Sequence, residues 1–160
     1  MSQMTLSAPE IMALSPIIPV IAIDDAERAI DLAHALIAGG INVLEITLRT
    51  PAALKAISLL AENVPDAVVG AGTVLNNNDL HRVVDAGATF AISPGSTETF
   101  LLAELTLDYP LLHGVATASE IMQGLDLGYP SFQLVPAIGA SGVTALTAVS
   151  GPLRRARVSP

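Results

Sequence analysis

The chain has no cysteine and no tryptophan, and only seven of its 160 residues are Lys or Arg. Without thiols it can form no disulfide, no thiolate metal site and no cysteine nucleophile. That fits a reducing compartment, and a cytoplasmic protein is expected. The basic residues do not cluster except at Arg154, Arg155 and Arg157, and the formal net charge is −8. A phosphate-backbone binder needs several spaced cations, so nucleic acid is not an expected partner. Mean hydropathy is high at +0.59, yet no uncharged apolar run approaches the roughly 18 residues of a membrane span. The opening "MSQMTLSAPEIMAL" lacks a basic stretch and carries Glu10, which argues against a signal peptide. A single soluble domain over residues 1–160, with no membrane partner, is the expectation.

Aromatic residues are only 3% of the chain, whereas 51% is apolar. The core must therefore be built from Ala, Val, Ile and Leu, a palette suited to helices packed on buried parallel strands. The apolar run "PIIPVIAI" (16–23) leads into "DDAERAIDLAHALIAGG", where Asp24 or Asp25 can cap a helix that Gly39 and Gly40 stop. The same unit recurs. "INVLEITLRT" precedes "PAALKAISLLAENV", "AVVGAGTV" precedes "NNNDLHRVVDAGA", and "FAISPG" precedes "STETFLLAELTL". "PLLHGVA" precedes "TASEIMQGLDLG", "FQLVPAIG" precedes "ASGVTALTAVSG", and "ARVSP" begins a seventh strand. Short strands alternating with longer helices predict a parallel sheet. Uniform units without a Gly-rich dinucleotide fingerprint favour a (β/α)8 barrel over an open doubly wound sheet. In this chain the barrel is expected to be incomplete, with about six βα units and a seventh strand.

In such barrels the chemistry gathers at the carboxyl ends of the strands. The polar residues counted there are Glu45, Thr47 and Arg49, followed by Thr73, Ser93, His113 and Gln133. Residues 45, 47 and 49 share one face of a strand. Charge in an apolar strand is costly to bury, so Glu45 and Arg49 form either a structural ion pair or a working couple. In the second case Arg49 forks a carboxylate and Glu45 moves protons. His34, His81 and His113 show no metal-ligand spacing, and His113 is expected to be a packing residue. Gln133 is an amide inside the apolar stretch "FQLV".

The motifs "GGINVLEITLRT", "VVGAGTVLN", "GATFAISPG" and "PLLHGVATASEIMQGLDLG" resemble the 2-keto-3-deoxy-6-phosphogluconate (KDPG/KHG) aldolases, in order and over nearly the whole chain. The resemblance implies a trimeric (β/α)8 barrel that needs no metal or other cofactor. It also implies cleavage of KDPG to pyruvate and glyceraldehyde 3-phosphate through a lysine imine. Glu45 matches the family's general acid/base and Arg49 the residue that holds the pyruvyl carboxylate. Thr73 and Pro94 match pocket-lining positions. The expected small-molecule partners are 2-keto acids, namely pyruvate and KDPG.

At strand 6 the sequence departs from the family pattern. Gln133 stands where the resemblance places the imine-forming lysine, Val135 where it places an aromatic, and Ile138 where it places an acid. His113 replaces a proline. The family continues past residue 160 with a P-T-G-G phosphate loop, and open strand edges would invite association. A carboxamide cannot form an imine, and Lys55, the one lysine, is expected on the outer helical ring. Little or no aldolase activity follows. The alternatives are a pocket that holds a 2-keto acid without covalent capture, or a scaffold whose role is assembly.

Overall fold

The segment Val43–Thr47 is buried at all five positions, as an apolar strand covered on both faces must be. It is β2 of a seven-stranded parallel sheet in the computed structural model, which describes residues 6–104, 107, 109–137, 139 and 142–159. The strands are β1 (Val20–Ile21), β2, β3 (Val68–Gly72), β4 (Phe90–Ser93), β5 (Leu111–Val115), β6 (Ser131–Leu134) and β7 (Arg157–Ser159). They pair in chain order, each parallel to the next. No ladder joins β1 to β7 among the described residues, so the sheet is a (β/α) half-barrel.

A helix follows each of the first six strands: α2 (Ala29–Ala38), α3 (Ala53–Asn63), α4 (Asn77–Asp85), α5 (Glu98–Glu104), α6 (Ala118–Asp126) and α7 (Gly142–Ser150). A 3-10 turn at Ala26–Arg28 leads into α2, with Asp25 accepting from the Glu27 N–H. Asn76 caps α4, and Thr117 with Glu120 forms a capping box on α6. Gly40 and Gly128 follow α2 and α6 at φ values of 85° and 94°, the left-handed exit that glycine adopts without a Cβ clash.

Strand alternation divides the apolar residues into two layers. Leu44, Ile46, Val69, Ala71 and Ala91 face the helices and meet Ala56, Ile57, Leu60, Leu80 and Val83. Val43, Phe90, Ile92 and Leu112 face inward and are closed off by Ile11. Ile11 belongs to α1 (Ala8–Leu14), a short helix at the amino end of the chain that the sequence reading did not anticipate. Each of the buried Val, Leu, Ile and Phe side chains among these is worth roughly 1.5–3 kcal/mol.

One expectation is corrected. The run 16–23 contributes a strand of only two residues, because only Val20 and Ile21 enter the ladder. Pro16 and Pro19 have no N–H to give it. His113 and Ser93 do not face the barrel interior. They share a layer with Phe132, and Phe132 packs on α6. His113 is fully buried and meets Phe100 and Tyr129 edge-on, with ring centroids 6.2 and 4.5 Å away. It is a packing residue on the helical side of the sheet.

Candidate active site

Glu45 enters the interior from the middle of β2 and is 5% exposed. It stands opposite Gly70 in the ladder, yet its carboxyl leans toward the strand ends and lies over Gly72. Burial pushes its pKa up from 4.5 to about 7, and the Arg49 charge draws it back only in part. A carboxyl titrating there can both give and take a proton near neutral pH. Thr47, one layer above it on the same face, donates to the carbonyl of Ile21 at 2.9 Å and ties β2 to β1.

Arg49 follows β2 and is exposed. It makes no direct ion pair with Glu45, so the simple structural pair is not what holds the two together. Its Nε donates instead to Thr73 Oγ1 at 3.3 Å. The two terminal nitrogens make no protein hydrogen bond among the described residues, and the exposed guanidinium can fork a carboxylate. Thr73 directly follows β3 and has a φ of 60°. A β-branched residue in that region is strained, and such strain gathers at functional sites.

On the other side of the mouth, Gly114 pairs with Gln133 in the β5–β6 ladder. A β-carbon at Gly114 would lie 2.4 Å from the Pro94 carbonyl carbon, so the bare backbone there lets the Pro94 turn lean over β5. Phe132 packs on α6 through Gly124, which turns Gln133 to the inner face that Glu45 also occupies. Gln133 is half-buried. Val135 lies beyond the end of β6, in the turn it shares with Pro136. Ile138 lies outside the described residues.

Lys55 is on α3 and exposed, its ammonium 2.5 Å from Glu27. It is on the outer ring, as expected. Among the described residues no group of three or more His, Asp or Glu is placed to hold a metal ion, and no helix is long and apolar enough to cross a membrane.

A parallel half-barrel with a near-neutral carboxyl, a guanidinium and a strained threonine at its strand ends has the layout of barrel enzymes that work above those ends. Residues 9–160 match the KDPG and KHG aldolase family. The chain belongs to that family. A 2-dehydro-3-deoxy-phosphogluconate aldolase of Dickeya dadantii (strain 3937) is 49% identical over 154 residues, which is 96% of this chain and 72% of that protein. The KHG/KDPG aldolase of Escherichia coli (strain K12) is 48% identical with the same coverage. KDPG aldolase from Legionella pneumophila, solved with pyruvate captured at low pH as a covalent carbinolamine intermediate, superposes with a TM-score of 0.94 at 48% identity. That match covers 97% of this chain and 75% of the other.

Proposed function

We propose that this chain keeps the 2-keto-acid pocket of the aldolases and has lost the nucleophile, so that it cleaves KDPG slowly or not at all. Arg49 anchors the carboxylate of pyruvate or KDPG. Glu45 is the proton-handling group, and Thr73 and Pro94 line the pocket. Gln133 stands at the position of the imine-forming lysine. One observation carries this reading. The buried Glu45 carboxyl lies on the inner face and Arg49 just past the end of the same strand, while the one lysine of the sequence is on the outside of α3, against Glu27. Capture of a ketone as an imine needs a nitrogen with a free lone pair, which attacks the carbonyl carbon and expels water. The amide nitrogen of Gln133 has its lone pair delocalised into the carbonyl and does not do this. It can donate a hydrogen bond to the keto oxygen.

The remaining properties of the family come with the proposal: a cytoplasmic setting, homotrimeric assembly and no cofactor. The test is pyruvate with borohydride, followed by intact-protein mass. The expected spectrum shows no reduced pyruvate adduct on this chain, and a stable adduct overturns the loss of the nucleophile. In parallel, calorimetry with pyruvate is expected to show weak saturable binding in wild type that Arg49→Met removes. Absence of any response in folded wild type overturns the pocket.

A further inference from the structure

Two glycines on the inner face of β3 are each filled by a neighbour's side chain. A β-carbon at Gly70 would lie 2.2–2.4 Å from three atoms of the Phe90 ring. A β-carbon at Gly72 would lie 1.9 Å from Glu45 Oε1, 2.7 Å from its Cδ and 2.9 Å from its Cγ. Glycine at 72 is not required by backbone conformation, because Gly72 is not among the positive-φ residues. Any residue could follow the chain there. What forbids a side chain is the carboxyl.

We propose that Gly72 is a positioning residue, its bare backbone forming the seat that holds the Glu45 carboxyl against β3 and below the mouth. The proposal rests on Glu45 being the proton-handling group, but it concerns where the carboxyl sits and is testable without turnover. Carbon atoms do not approach to these distances, so a methyl at 72 must evict the carboxyl. Gly72 is the last residue of β3, so the displaced carboxyl is expected to move out past the strand end and meet water there. There the carboxylate regains hydration and titrates in the ordinary range. The end of β3 thereby acts on both Glu45 of β2 and Arg49 just beyond it: Gly72 seats Glu45, and the next residue, Thr73, accepts from Arg49.

The experiment is a carbon-13 titration of the side-chain carboxyl of Glu45, its signal assigned by its loss in Glu45→Gln. Wild type, Gly72→Ala and Gly70→Ala are compared. Gly70→Ala is the control, since it crowds the same face of the same strand and the atoms it meets first belong to the Phe90 ring. The Glu45 midpoint is expected to fall by about one unit or more in Gly72→Ala and to hold in Gly70→Ala. An unchanged midpoint in Gly72→Ala, or an equal shift in Gly70→Ala, overturns the proposal. Should Gly72→Ala be too unstable to titrate, thermal unfolding in a Glu45→Ala background decides. Gly72→Ala is expected to lower Tm by about 5 °C or more beside Glu45 and to have little effect once that side chain is gone. Equal losses in both backgrounds overturn it. A missing pyruvate response would sink the pocket and leave this result untouched.

Discussion

Arg49 Nε donates to Thr73 Oγ1 at 3.3 Å across the β2–β3 junction, and Thr73 offers that oxygen from a backbone with φ of 60°. The surrounding structure therefore holds this geometry against strain of order 1–3 kcal/mol for a non-glycine residue in that region. Thr73→Gly removes the strain and the hydroxyl together. Its stability is expected to stay within about 1 kcal/mol of wild type, since relief of strain is offset by the greater backbone freedom of glycine. Pyruvate binding is expected to weaken several-fold as the guanidinium loses its tether. Thr73→Ser keeps the oxygen and should keep the affinity. Urea denaturation and calorimetry on the two variants check both halves.

The raised pKa of Glu45 predicts a pH dependence of stability with a definite sign. In the unfolded chain this carboxyl titrates near its ordinary value of 4.5, and in the native fold near 7. Between those values the native state binds more protons than the unfolded state, so stability falls as pH rises. The contribution is fully present below about pH 4.5 and lost above about pH 7. It amounts to about 3 kcal/mol across the window. Glu45→Gln has no such titration. The variant is expected to be more stable than wild type at pH 8 and to lose that advantage by pH 5. Urea midpoints at the two pH values give the comparison, and parallel curves for the two proteins would refute it.

Helix α6 lies on β6 through Gly124, where a β-carbon would come within 2.3 Å of Phe132 Cε1. Gly-to-Ala changes inside helices usually stabilise by up to about 1 kcal/mol. Here the opposite is expected, because Phe132 is fully buried and has nowhere to retreat. Overpacking of this kind costs about 1–3 kcal/mol. Gly124→Ala should therefore lower the denaturation midpoint. A rise would mean that α6 shifts off the sheet at little cost.

The strand–helix alternation was legible because each strand is a buried apolar run and several helices carry a cap and a glycine exit. Glu45 was legible for the same reason: charge in an otherwise apolar strand stands out. Arg49 stood out with it, although it lies in the turn after β2 and not in the strand. The face on which His113 lies was not. Counting polar residues near strand ends does not tell inside from outside, and only the packing of Phe132 on Gly124 fixes the layer that contains His113. Helix α1 was passed over although Ser7 and Glu10 form a capping box around Pro9. Seven residues are too few for periodicity to register. Gly72 was quoted only as part of "GAGTV", since the sequence does not say which side chain a glycine makes room for.

Gln133→Lys asks whether the nucleophile alone is missing. Position 133 is half-buried and turned to the interior, and because the Pro94 backbone takes up the space over its ladder partner Gly114, a lysine there has to extend past Pro94 to reach the mouth. Partial burial disfavours the ammonium form and lowers the pKa of an amine there, which increases the fraction able to attack a ketone. Glu45 faces the same interior and, protonated, can supply the proton with which the carbinolamine hydroxyl leaves as water. The variant is expected to give a borohydride-trapped pyruvate adduct where wild type gives none, mapped by peptide mass to residue 133. Introducing Arg49→Met alongside it should reduce trapping by about tenfold at subsaturating pyruvate, on loss of the charge-assisted hydrogen bonds to the carboxylate. If the single variant folds with wild-type stability and still traps nothing, the defect lies in the pocket's shape beyond β6, and restoring the nitrogen is not enough.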